Sequence, residues 1–323
     1  VLTMRALCLA SMGEKTMDLA ADVSVEAILT DELARETRAL AAVVPVLRHL
    51  LSSDADTLVS EAILARVRGM ILDLAAQVLT ARAGQDPLIH TFADIEPSAI
   101  EGLARGMMMD EALLGFCHSL AAEGLISERL QARSGIDPVL SPLLQELIAS
   151  QDAAIASVAM STLAAQSRFV QAQRRMALPL GELPAELFHR LIADAQIEVD
   201  DQAALSRLQA GYDEATNRSG LLSRLVAAMR GGVIAALGLD HAGLALFVSA
   251  LAVSARQPRG DAVLACHEGQ SLRLALMLRA SGLGAAAIEH NILLVQPSER
   301  LPRRVEALSA QQAAALLGSG SVV

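Results

Sequence analysis

The chain has 323 residues, of which 53% are hydrophobic but only 2% aromatic, and its core must be built from Leu, Ala, Val, Ile and Met. That apolar fraction is ample for a packed core and excludes a disordered or collagen-like chain, while the scarcity of rings argues against a β-sandwich. The net charge of −10 lies wholly in residues 1–150, with 11 Arg and Lys against 21 Asp and Glu, whereas residues 151–323 carry 15 of each; an acidic surface repels phosphate backbones and disfavours nucleic acid as a partner.

Helix punctuation recurs along the chain. Asp22 or Ser24 is a cap for a helix through Leu40 that continues or kinks at Pro45. Asp56 opens a long helix closed by Gly84, and Asp86-Pro87 and Asp137-Pro138 each place a capping carboxylate before a proline at the first helical position. Pro97 opens another helix with a break expected at Gly106, Gly124 closes the next, and Asp152 caps one running to about Met176. Pro184, Asp200, Ser219, Asp240, Asp261 and Ser309 are further starts, and Gly231, Gly282 and Gly318 are stops. Ile292-Leu293-Leu294-Val295 is the one strand-like run, too short to sustain a sheet alone.

The expected fold is therefore all-α. About a dozen helices form either a stack of helical hairpins, an α-solenoid, or a compact multi-helix bundle. Leu178-Pro179-Leu180-Gly181-Glu182-Leu183-Pro184 interrupts the helices with two prolines and a glycine near the change in charge, so it is the best candidate for a boundary between an acidic block, residues 1–178, and a neutral block, residues 179–323, the alternative being one continuous array. The uncharged runs, such as Ala242–Ala255, are shorter than the roughly 20 residues a bilayer span needs, so no membrane span is expected.

The segment from Ala165 to His189, AQSRFVQAQRRMALPLGELPAELFH, resembles a stretch found in a bacterial family of uncharacterised HEAT-like helical-repeat proteins. It covers under a tenth of the chain. The resemblance implies paired helices in an array, and carries neither an activity nor site residues.

The motifs that bear chemistry are few. Cys117-His118 and Cys266-His267 would supply four zinc ligands if the fold brought them together. Neighbouring residues on a helix point about 100° apart, however, so buried cysteines beside satisfied histidines are the alternative. Three cysteines without a CxxC form neither a disulfide framework nor a zinc ribbon and point to a reducing, cytoplasmic setting. Glu186 and His189 have the spacing of a di-iron half-site, but the second half-site is missing, which leaves a surface pair. Gly282 to Ala287 matches a degenerate dinucleotide fingerprint, yet follows a helix where that motif needs a strand, and reads as a helix-to-helix turn.

No nucleophile elbow, P-loop, zincin or EF-hand pattern occurs, so no catalytic residue and no cofactor is expected. The expected function is a helical scaffold or regulator that binds another protein, with Arg168, Arg174, Arg175 and Met108 as the partner-facing residues. A small-ligand or metal-binding protein, or an enzyme, with its site at the Cys-His dipeptides is the rival. The unequal charge also predicts that Arg168, Arg174 and Arg175 pack toward Glu101, Asp110, Glu111 or Glu123 of the acidic block and orient the two halves.

Overall fold

The computed structural model describes residues 60–85, 95–196, 203–300 and 305–319. The chain divides into two compact units, Val1–Asp56 and Thr57–Val323, and the first lies wholly outside the described residues. So do Cys8 and the expected helix starts at Asp22, Ser24, Asp56, Asp86 and Asp200. Among the described residues there are 13 α-helices and no strand, the all-α fold that the punctuation predicts.

Helix α1 (Glu61–Arg82) is capped by Ser60, whose hydroxyl accepts from the Ile63 amide. Gly84, at φ 76°, follows its end as expected. Helix α2 (Pro97–Met107) begins at its proline. Asp110 caps α3 (Glu111–Ser134) by accepting from the Ala112 and Leu113 amides.

The starts expected at Ser219, Asp240 and Asp261 lie one or two residues inside helices that begin at Arg218, Leu239 and Arg259, and two other expected boundaries move by a turn or more. Gly124 is not a stop: α3 runs through it to Gly135, which takes the left-handed conformation (φ 67°) instead. A Cβ at Gly124 would lie 2.6 Å from an Arg66 guanidinium nitrogen and 3.0 Å from the Gln173 amide oxygen, so the glycine leaves room inside the helix for these two side chains. Asp137-Pro138 is likewise not a helix start. The Asp137 carboxylate accepts from the Val139 and Leu140 amides in a tight turn, and Ser141 caps α4 (Pro142–Ile148) one turn later.

Asp152 caps α5 (Ala153–Arg175), which ends at Met176 in the left-handed region. A 3-10 turn (Leu180–Glu182) leads to α6 (Ala185–Gln196) and α7 (Ala203–Gly211). A second 3-10 turn (Glu214–Thr216) precedes α8 (Arg218–Met229), whose cap is Asn217. After a 3-10 segment (Arg230–Leu237) come α9 (Leu239–Ala255), α10 (Arg259–Ala265), α11 (Ser271–Ala280), α12 (Ala285–Val295) and α13 (Ala310–Ser319). The strand-like Ile292 to Val295 forms the end of α12, so helical context decides what a four-residue apolar run cannot.

Two apolar clusters fill Thr57–Val323. One gathers α1, α2, the N-terminal half of α3, Leu178 to Leu183 and α6 around Leu74, Leu183 and Phe188. The other gathers the C-terminal half of α3 with α4, α5 and α8 to α13 around Phe247 and Leu251. Helix α9 is its hub, packing against α3, α4, α8, α10, α11, α12 and the 230–237 segment.

The boundary expected at residues 178 and 179 falls inside the second unit. Asp73 accepts from the Leu178 amide and from Gln77. Gln77 in turn donates to the Leu178 carbonyl and accepts from the Leu180 amide. These bonds fasten the proline-flanked segment to α1, and Leu178, Leu180 and Leu183 are buried beside it. Two prolines and a glycine stop a helix, but they do not by themselves separate domains.

The stretch Arg218–Leu237 has the length and apolar composition of a membrane span, with mean hydropathy 1.5 and 33% of it buried. The expectation of no span was based on uncharged runs, and this stretch escapes it because it includes arginines. Its helix breaks at Arg230 (φ 47°, ψ −120°), and the side chain of Arg218, at its start, is buried in protein.

Candidate functional site

The two apolar clusters meet along α3, and at that seam lies a buried charged network. Glu123, 1% exposed, is gripped by two guanidiniums. Arg218 at the start of α8 donates to both carboxylate oxygens, and Arg259 at the start of α10 donates to the same two, each at 2.8 Å. Arg218 also donates from Nε to Gln166 of α5 at 2.7 Å and lies 3.7 Å over the Phe169 ring. Arg259 donates from Nε to Ser249 of α9. One carboxylate thereby links α3, α5, α8, α9 and α10.

Burial alone would raise the Glu123 carboxyl, but the charges of Arg218 and Arg259 more than offset it and hold the group down at about 2. Burial also lowers the Arg218 guanidinium, opposed by the Glu123 charge.

Beside this network opens a cavity of about 440 Å³, the size of a small-molecule pocket. One wall is the Phe188 ring of α6, stacked on Tyr212 with centroids 4.0 Å apart and planes 10° from parallel. The exposed His189 ring meets both edge-on. Leu180, Ala204 and Leu208 complete the apolar lining, and Gln77 and Asn217 supply amides whose hydrogen bonds are already directed into the protein. The Tyr212 hydroxyl donates to the Leu183 carbonyl at 2.8 Å, which fixes the ring.

Acidic groups gather at this wall. Glu182 accepts from the Arg218 amide, Asp213 from the Ala215 amide and Glu214 from the Ala185 amide, in each case with one oxygen. Burial, and then the charges of Glu214, Asp213 and Glu182, push the Tyr212 hydroxyl up to about 12. Arg207 is the basic side chain in the lining.

The residues singled out from the sequence lie elsewhere. Cys117 and Cys266 are free and buried. Burial pushes each thiol up to about 12. His267 is buried and lowered, first by burial, and its carbonyl accepts from Gln296. His118 is close enough for its charge to bear on His267, but no group of three or more His, Cys, Asp or Glu among the described residues is arranged to hold a metal ion. Thiols held in this state resist reagents that need a thiolate. Ellman's reagent added to the native protein is therefore expected to leave Cys117 and Cys266 unlabelled for hours, and to titrate all three cysteines in denaturant.

Arg168, Arg174 and Arg175 are exposed on α5, and none forms an ion pair with a described carboxylate. The expected pairing with Glu101, Asp110, Glu111 or Glu123 is corrected in its arginines. Arg190 reaches Asp110, and Arg218 and Arg259 reach Glu123. Met108 is half-buried and lines an open groove of about 500 Å³ between α1, α2 and α3, while its neighbour Met109 is 81% exposed. Glu186 and His189 are both exposed on α6, and Gly282 to Ala287 is the turn between α11 and α12.

Sequence reasoning placed no site at the cavity. The available signal was Tyr212-Asp213-Glu214, where the one tyrosine of the chain precedes two carboxylates. Comparison with protein-family models, curated proteins and solved structures returned no match.

Proposed function

We propose that this protein is a helical binding protein without catalytic chemistry of its own, and that its ligand is a small molecule held in the cavity beside Phe188 and Tyr212. The cavity carries this reading: about 440 Å³ of mostly apolar, ring-walled space, with fixed amides and acidic groups at its edge. The hub arrangement of α9 supports a compact bundle in preference to stacked hairpins, in which each pair touches only its neighbours. The likeness of residues 165–189 to HEAT-like proteins adds no ligand. Free, buried thiols fit a reducing compartment.

The chain has one tyrosine and no tryptophan, so its intrinsic emission comes from Tyr212 at the cavity wall. A fragment screen read by that emission is expected to return ligands that also raise the melting temperature. Gly181 lines the cavity and a Cβ there would meet nothing within 4 Å, so Gly181→Leu is expected to fold and to lose those ligands. Fragments bound equally well by Gly181→Leu, or a screen with no hits, would overturn the reading.

A second reading, the docking of another protein, is favoured by Arg168, Arg174 and Arg175, three exposed cations on α5 without described ion-pair partners. That surface suits an acidic protein. Its capture should disappear in the Arg168→Glu, Arg174→Glu, Arg175→Glu variant, and retention there would end this reading.

A further inference from the structure

Resting on the reading of the cavity as a ligand site, we propose that it selects an organic cation: an ammonium group attached to an apolar body.

The apolar body is called for by the wall. Phe188 and Tyr212 present a stacked pair, and Leu180 and Leu208 extend the apolar surface beside it. Such a surface takes a ring or an alkyl chain and offers it few hydrogen bonds.

The charge is called for by the carboxylates. Glu182 and Asp213 line the cavity, and Glu214 follows in the same turn. Each spends one oxygen on a backbone amide, at 2.9, 3.0 and 3.2 Å respectively, and the other oxygen bonds no described residue. These bonds hold the carboxylates in place without neutralising them. Against the three stand Arg207 in the lining and Arg224, which donates to the Ala215 carbonyl; Arg218 also feels the Glu182 charge, but its guanidinium is already gripped by Glu123, and the exposed His189 ring lies at the edge of Tyr212. The balance is negative. An ammonium group there gains the carboxylate field beside the aromatic wall, whereas a carboxylate or phosphate would meet repulsion from the same carboxylates. Burial first, and then the charges of these same three carboxylates, raise the Tyr212 hydroxyl.

The test uses three probes of one shape on the full chain: phenylbutyltrimethylammonium, phenylbutanol and phenylbutyrate, each titrated against Tyr212 emission. The cation is expected to bind roughly ten-fold more tightly than the alcohol, and the anion more weakly than either. Glu182→Gln with Asp213→Asn keeps an acceptor for each backbone amide. It is expected to cost the cation about ten-fold and to leave the alcohol unchanged. Arg207→Gln, at an exposed position, is expected to tighten the cation by a few-fold.

A second readout is the ultraviolet titration of Tyr212. Its midpoint should fall from about 12 when the cation binds, because a positive charge opposes the carboxylates, and should stay in place with the alcohol. If the alcohol or the anion binds as tightly as the cation, the selection of a cation is overturned while the ligand site stands. If none of the three alters Tyr212 emission, the site itself falls with it.

Discussion

Glu123→Gln is expected to lower the unfolding free energy by about 3–5 kcal/mol. The substitution keeps the shape of the side chain and removes its charge. Arg218, itself 2% exposed, would then sit beside Arg259 with only the charge of Glu182, which binds its backbone amide, to oppose it. Arg259 is partly exposed and can turn its charge toward water; Arg218 cannot. Since the whole margin of a domain is about 5–15 kcal/mol, such a loss should show as a large fall in the urea midpoint.

A buried ion pair need not be a net gain, however, because removing both charges from water is itself expensive. The double variant Glu123→Leu, Arg218→Met is therefore expected to be more stable than either single change, giving a coupling energy that a double-mutant cycle reads directly. The pH dependence has a definite sign. Glu123 is held at about 2 against an ordinary value of 4.5, so its contribution is complete above 4.5 and is lost as the pH falls toward 2. The Glu123→Gln variant should lack that part of the acid limb. A loss below about 1 kcal/mol would mean that the network is screened as surface pairs are.

The same network shows where the sequence is legible. Caps are local chemistry, and Asp152, Pro97, Pro184 and Ser309 stand where a side chain or a missing amide suits a helix start. Gly124 and Gly135 look alike as letters, yet one leaves room for two packed side chains and the other turns the chain, and only the packing partner separates them. Charge is harder still. Arg168, Arg174 and Arg175 attract notice because they are crowded in sequence, but crowding marks a solvated face. Arg218 and Arg259 stand 41 positions apart and converge on Glu123 only through the packing of α8 against α5 and α9 and of α10 against α3 and α9. Part of the cavity was in view, since Phe188 lies in the segment that resembles HEAT-like proteins and Tyr212 is the single tyrosine. Their stacking across 24 positions required the fold.

Gly220→Ala is expected to destabilise the protein by about 1–3 kcal/mol and to disturb the ligand cavity as well. On helical propensity alone the sign would be the opposite. Alanine in a helix is favoured over glycine by about 0.5–1 kcal/mol, and that gain is expected at Gly115, exposed on α3, where a Cβ meets nothing within 4 Å. At Gly220, in the first turn of α8, an added Cβ would lie 2.0 Å from the Glu214 carbonyl oxygen and 3.0 Å from the Ala215 Cα. Both are backbone atoms, so no side-chain rotation relieves the contact. Either the 214–216 turn moves, taking Asp213 and Glu214 away from Tyr212, or the start of α8 moves, taking the Asn217 cap and Arg218 with it. The titration of Tyr212 separates the two. Displacement of the turn should bring its midpoint down from about 12 by the share that the Glu214 and Asp213 charges supply, whereas displacement of α8 should leave the midpoint high and reproduce part of the acid sensitivity of the Glu123 network. A Gly220→Ala protein as stable as Gly115→Ala, with an unchanged tyrosine titration, would show that the close approach is absent and that the turn does not hold the carboxylates at the cavity.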